Sequence, residues 1–498
     1  MVLIFNCDGD STTLSHFEPP MRPEQMCRPL DELAGTGVTA FACCLNRGDD
    51  TFSHRTAVGE IYGSNVTDWR APERYRNEPG AEGCQRKMSA MRRIAENTRA
   101  VLDAGGDPVA VLAARAKTLG IRFWASLRMN DIHEDDGKRF FVLRSEFKKR
   151  HPELLIGSPY PDPAAGYGEE DFTWAFDFAR PEVRDRKLAI IEEACLRYDL
   201  NGFELDFQRG PWFFKRGRES AEAERMTEFL RRVRSRTVAI AEAKGRAFTL
   251  AVRVPPTFEA GLSKGLEVRG WITEELADVF IAMDGGYLDM GADVRAFAAA
   301  AKGKRCMVMG GIEPYTKGYG ASDPRMMRAA AAGYYEQGAQ GVYLFNFDCH
   351  RSRGRDNDYT AWERQALKDL GDPSAIAFSD KRYTITRDMA ERTPQEGGDK
   401  PLPVEITPPA RRTFRLTIGD DPNSGRNRNV ELRIRSSHGV LAVEFNGRQT
   451  AVGGIRDGVC IFPDPPIVRG ENVITIGVSE GHSRPARIEG IELAVNYS

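Results

Sequence analysis

Eight short apolar runs, each closing on polar or glycine-rich residues, recur through roughly the first 350 residues of the chain. They are VLIFNCDGD (2–10), VTAFACCLNRGDD (38–50), IRFWASLRMND (121–131), NGFELDFQRG (201–210), AFTLAVRVPP (247–256), DVFIAMDGGY (278–287), KRCMVMGGIEPY (304–315) and GVYLFNFDCH (341–350). Between them lie helical segments such as RPEVRDRKLAIIEEACLRYD, AERMTEFLRRVRSRTVAIAEAKG and PRMMRAAAAGYYEQGAQG, several of which end in Gly as helix C-termini do. Strand followed by helix, repeated eight times, predicts α/β architecture as a closed parallel (β/α)8 TIM barrel. A doubly wound open sheet is the alternative. It brings a Gly-rich phosphate loop after its first strand, and CDGDST is not one.

After residue 372 the texture changes. NVELRIRSS, GVLAVEFNGRQTAV, GVCIFPDPPIV, ENVITIGVSEG and RIEGIELAVNY are short alternating runs divided by Gly, Pro, Asn and Asp turns. That pattern predicts an all-β, jelly-roll-like sandwich. The expected organisation is a barrel over 1–372, a linker over 373–402 and a C-terminal β-sandwich over 403–498, with TPQEGGDKPLP (393–403) the most linker-like stretch.

Charge narrows the partners. With 70 basic and 72 acidic residues and no concentrated basic tract, nucleic acid is not expected. No apolar run approaches the roughly 18 residues that span a bilayer, so no membrane association is expected either. MVLIFNCDGD lacks the positively charged start of a signal peptide. Nine cysteines form no CxxC pair and several sit within strand-like runs, which reads as buried free thiols suited to a reducing, cytoplasmic compartment.

The polar residues are one-sided. At the C-terminal ends of the runs stand Asn6, Asp8 and Asp10; Asn46 and Arg47; Arg128, Asn130 and Asp131; Glu204, Asp206 and Arg209; Arg253; Asp284; Glu313 and Tyr315; and Asn346. The N-terminal halves are almost purely apolar, and the chemistry of such a barrel belongs at its C-terminal face. Within NGFELDFQRG, alternation places Phe203, Leu205 and Phe207 on one face and Glu204 and Asp206, about 7 Å apart, on the other. Facing the barrel axis, those carboxylates need partners, and Arg128 and Arg253 are the expected ones. A barrel-lining Glu204 that is merely salt-bridged to one of them is the alternative.

Seven histidines without an HxH or HExxH pattern argue against a His-rich metal site. CDGDST offers oxygen ligands at Asp8 and Asp10 but lacks the length and closing acid of an EF-hand loop, and no cofactor fingerprint is present; no metal or cofactor is expected. Paired carboxylates with aromatics are the toolkit of glycoside hydrolysis, in which one carboxyl protonates the leaving oxygen and another attacks or activates water. Trp212, Phe213, Phe214, Tyr160, Trp174, Tyr287 and Tyr315 lie in strand-end loops where they could stack on sugar rings. Loop packing onto helices accounts for any single one of them equally.

YDLNGFELDFQRGPWFF, with the IFNCDGD opening and GVYLFNF at the eighth run, resembles the family 10-like glycosyl hydrolases, TIM-barrel proteins near the α-galactosidase superfamily. The resemblance covers residues 1–370. It implies a nucleophile at the end of strand four, Asp206, and an acid/base at the end of strand six, Asp284. The strand-four motif is also similar to the family 18 chitinase pattern Asp-Gly-x-Asp-x-Asp-x-Glu, with Asn201, Glu204 and Asp206 at the three Asp positions. Gln208 replaces the terminal Glu, and an amide cannot supply a carboxyl proton.

The expectation is therefore a glycosidase acting on an oligo- or polysaccharide, with Asp206 as nucleophile or base, Asp284 or Glu313 as acid and Glu204 assisting. Asn6, Asp8, Arg128, Asn130, Arg209, Trp212, Arg253, Tyr287 and Asn346 are the expected substrate-binding residues. The arginines raise an anionic carbohydrate as substrate, although Arg–Glu pairing inside the barrel explains them as well. A barrel that binds carbohydrate without turning it over is the second expectation, and the sandwich leaves a dimer open.

Overall fold

A computed structural model describes the chain apart from residues 1, 10–12, 71–80, 134–142, 158–171, 211, 286, 317, 322, 352–356, 386–400, 438–440 and 452–453. Each of the eight apolar runs contains one strand of a closed barrel: β1 (Val2–Cys7), β2 (Ala40–Cys44), β3 (Arg122–Arg128), β4 (Gly202–Asp206), β5 (Thr249–Val254), β6 (Val279–Ala282), β7 (Met307–Ile312) and β8 (Gly341–Leu344). Neighbours pair in parallel in sequence order, and β8 closes on β1 through Val2–Phe5 against Gly341–Leu344.

The helices between the strands follow local rules. Pro108–Leu119 begins where the Asp107 side chain accepts from the N–H groups of Val109 and Ala110, and it stops at Gly120, whose φ of 70° suits a residue without a Cβ. The long helical stretch after β2 is two helices, Ala81–Asp103 and Pro108–Leu119, because Gly105 and Gly106 interrupt it. Among the described residues no helix is long and apolar enough to cross a membrane.

The C-terminal region is two antiparallel sheets. One orders Lys381–Thr384, Ala486–Tyr497, Arg428–Ser436, Val459–Pro463 and Gly454–Arg456, with Val404–Ile406 also on Ala486–Tyr497. The other orders Arg411–Ile418, Gly470–Val478, Leu441–Phe445 and Arg448–Thr450. Alternate residues such as Val430, Leu432 and Ile434 are buried, as a strand with one covered face requires.

The span expected as linker holds more than linker. Pro373–Ile376 is a helical turn, and Lys381–Thr384 is an edge strand registered on Glu492–Val495. TPQEGGDKPLP lies mostly outside the described residues. The sandwich packs closely on the barrel helix Pro324–Glu336: a Cβ on Gly419 would sit 2.6 Å from the carbonyl oxygen of Ala332. Asp420 is buried beside that contact, accepting from Lys381 Nζ (2.8 Å), Tyr383 Oη (2.6 Å) and Tyr497 Oη (2.7 Å). All nine cysteines are free thiols, seven of them buried.

Candidate active site

Alternation along β4 turns Glu204 and Asp206 into the barrel and Phe203, Leu205 and Phe207 out to the helices, where the Phe207 ring lies 5.3 Å from that of Trp271. Below them the interior is apolar, filled by Ile4, Trp124, Ala251, Val279 and Met309. Two polar layers stand on that floor.

Strand register decides the partners. Ser126 lies opposite Glu204, and Arg253 opposite Asp206. Glu204 is fully buried and makes no ion pair with either expected arginine; its Oε1 accepts from Ser126 Oγ (2.8 Å) and, across the barrel, from Tyr343 Oη (2.9 Å). Its Oε2 has no partner among the described residues. Burial, and after it the charge of Asp206, pushes the Glu204 carboxyl up to about 7.

A folded-state value above the ordinary 4.5 makes this carboxyl a stabilising group only while it is protonated. Its contribution is complete below about pH 4.5 and is lost as the pH rises to about 7. Glu204→Gln, which cannot ionise, is therefore expected to gain on the wild type through that window. Urea midpoints compared at pH 4.5 and pH 7.5 check this, and parallel pH profiles would refute it.

Asp206 and Arg253 form the upper layer. Arg253 Nε and Nη2 fork onto the two Asp206 oxygens at 2.9 and 3.1 Å, both side chains being buried. Oδ1 also accepts from the N–H groups of Gln208 (2.9 Å) and Arg209 (3.3 Å). The Arg253 guanidinium lies 3.9 Å over the Phe345 ring from β8's extension.

At the rim Arg128 pairs with Asp8 and reaches Asp131 at 3.5 Å. Asp131 is bonded to His133, whose Nε2 is 2.8 Å from Arg209 Nη2. Burial acts upward on the Asp131 carboxyl, yet His133, Arg128 and Arg209 together hold it well below the usual carboxylate range. Opposite, Glu313 carries on the inward parity of β7; its Oε1 meets His350 Nε2 at 2.9 Å, and its buried Oε2 has no partner among the described residues. Gln208 donates from Nε2 to the Met283 carbonyl (2.7 Å) and leaves Oε1 without a partner among them.

Several sequence-selected residues are committed elsewhere. Asn130 spends its amide on the loops, accepting from Phe176 N–H and donating to the carbonyls of Phe176 and Trp212. Trp212 packs with Ile156 and Ala175, and Phe213 and Phe214 join the main core, so none of these rings is a surface platform. Tyr287 is buried, whereas Tyr315 is exposed and lies 6.5 Å from the His350 ring. Asp284 is buried just beyond the end of β6 and accepts from Gly285 N–H (2.6 Å); burial first, then the charges of Asp289 and Asp284, raise the Tyr334 hydroxyl. Asn6 and Asn346 are buried with their Oδ1 atoms unpartnered among the described residues. Asp10 and Tyr160 lie outside those residues.

Ser126, Tyr343, Phe345, His133 and His350 did not stand out in the sequence. For the first three a signal exists: Ser126 shares the parity of Arg128, and Gly341, Tyr343 and Phe345 alternate through GVYLFNF. The two histidines sit in loops, where no periodicity applies. Among the described residues no cluster of three or more His, Cys, Asp or Glu is placed to hold a metal.

The turn after β4 is fixed by Gly210. Its φ is +70°, and a Cβ there would lie 2.1 Å from the Asn130 carbonyl oxygen, a backbone atom that cannot swing aside. Gly210→Ala is expected to lose about 1–3 kcal/mol of stability. Thermal unfolding checks it, and an unchanged midpoint would show that the turn relaxes.

No family model and no curated protein matches the chain. Solved structures similar to it include a maltogenic alpha-amylase from Thermotoga neapolitana, 10% identical with a TM-score of 0.38 over 98% of this chain and 98% of its own. Alpha-L-fucosidase isoenzyme 2 from Paenibacillus thiaminolyticus is 11% identical with a TM-score of 0.44, over 77% of this chain and 51% of its own. A GH36 alpha-galactosidase from Geobacillus stearothermophilus is 12% identical with a TM-score of 0.38, over all of this chain and 55% of its own. At these identities the likeness assigns no family, and what the chain's own geometry establishes is a closed parallel (β/α)8 barrel followed by a C-terminal pair of antiparallel sheets.

Proposed function

We propose that the protein is a glycoside hydrolase that cleaves an oligo- or polysaccharide bond with carboxylates at the barrel mouth. The observation that carries this reading is the pair of buried carboxylate oxygens, Glu204 Oε2 and Glu313 Oε2, left without partners among the described residues on the inward faces of β4 and β7. A buried acceptor without a partner costs about 1–3 kcal/mol, which a ligand hydroxyl would offset.

Glycoside hydrolysis needs one carboxyl able to give a proton and one fixed to face the anomeric carbon or its attacking water. Glu313, anchored through one oxygen only, is the acid in this reading. Asp206, held by the Arg253 fork and two backbone N–H groups, is the nucleophile or base. Glu204, with a carboxyl at about 7, supports Asp206 from below as a group that can carry a proton near neutrality. Asn6 and Asn346 would accept from sugar hydroxyls. Asp284, buried beyond the end of β6, is the other candidate for the acid.

One observation favours a binding barrel without turnover: Gln208 occupies the acid's place in the chitinase-like motif and is tied to the Met283 carbonyl. A panel of aryl α- and β-glycosides and natural oligosaccharides separates the two readings. Turnover of any member by the wild-type chain supports the hydrolase. A ligand that binds and is never cleaved supports the binding barrel instead.

A further inference from the structure

The mouth is rich in unmatched acceptors. Asn6 Oδ1, Gln208 Oε1, Glu313 Oε2 and Asn346 Oδ1, on residues at least nine-tenths buried at the ends of β1, β4, β7 and β8, find no partner among the described residues. Arg209 Nε is an unmatched donor beside them. An acceptor-lined site is satisfied by a ligand that brings O–H donors.

Two of its three arginines hold no spare charge. Arg253 is forked on Asp206, and Arg128 is shared between Asp8 and Asp131. Against Arg128, Arg209 and Arg253 stand Asp8, Asp131, Asp206 and Glu313, so the site has no positive excess even with Glu204 protonated. A carboxylate or sulfate on the ligand would bring acceptors to acceptors and negative charge to Glu313 and Asp206.

We infer that this site takes a hydroxyl-rich sugar ring without an anionic group and discriminates against uronic acids and sulfated sugars. Only the premise that the ligand is a sugar rests on the hydrolase reading. Arg209, whose guanidinium meets the His133 ring and whose Nε is unmatched, is the one group that could serve an anion instead.

The test uses the full wild-type chain and matched nitrophenyl glycosides: gluco- and galactosides, their uronides and their 6-sulfates. Binding is followed by calorimetry and cleavage by nitrophenolate release. The expected result is that any configuration that binds does so at least about tenfold more tightly as the neutral glycoside than as its uronide or sulfate. Asn6→Ala and Asn346→Ala should each weaken the neutral ligand. An anionic member that binds as tightly as its neutral counterpart overturns the inference, and so does the absence of any neutral binder. Loss of such anionic binding in Arg209→Gln would identify the group responsible. Neutral binding without nitrophenolate release overturns the hydrolase and leaves the inference standing; release from a uronide that binds best does the reverse.

Discussion

Arg253→Met is expected to cost about 3–5 kcal/mol of folding stability, the largest single effect anticipated for this barrel. The cause is the partner left behind. Asp206 sits in the interior with only the fork from Arg253 and two backbone N–H groups around it. Removing the guanidinium leaves a carboxylate in a low-dielectric layer between the apolar floor and Phe345, and it also strips a cation from that ring. Asp206→Asn should be damaging for the converse reason, since it leaves Arg253 charged and buried.

The double variant Asp206→Asn/Arg253→Met removes both charges at once, so it is expected to lose less than the sum of the single losses. Urea midpoints at constant slope measure all three. A loss below about 1 kcal/mol for Arg253→Met would mean that water reaches the pair and that it behaves as a surface salt bridge.

Glu313→Gln is expected to leave the fold intact and to lower turnover by about 100- to 10,000-fold, the usual range for a general acid. The amide keeps an oxygen for His350, so the local contact survives while the transferable proton does not. The loss should be smaller on substrates whose leaving group departs without protonation, such as a nitrophenolate, than on natural oligosaccharides. Kinetics on a leaving-group series read that slope directly. If Glu313→Gln retained full rate on poor leaving groups, the acid would move to Asp284 or to Glu204, the latter's carboxyl already lying near neutrality.

Much of this site was legible before the fold was seen, and the part that was not has a common cause. Periodicity is a local property, so the eight runs showed the barrel and the alternating C-terminal segments showed the sheets. The strand Lys381–Thr384 escaped because KRYT holds a single apolar residue, so no alternation registers in it. Glu204 and Asp206 belong to one face by alternation alone, and they do face inward.

Glu313 follows Met309 and Gly311 on the inward face of β7, a parity that counting from the middle of the strand shows. Asp284 entered through the family resemblance and not through the strand pattern.

The sequence by itself determined the strands and the alternation of side chains along each of them. Only the tertiary structure decided which side chains meet. Tyr343 reaches Glu204 from 139 positions away, Arg253 faces Asp206 rather than Glu204, and Arg128 turns to Asp8 and Asp131. Hydrogen bonds and ion pairs act over about 3 Å, a distance smaller than the shift of one residue along a strand. Partners are therefore set by the register between strands, and that register exists only once the barrel has closed.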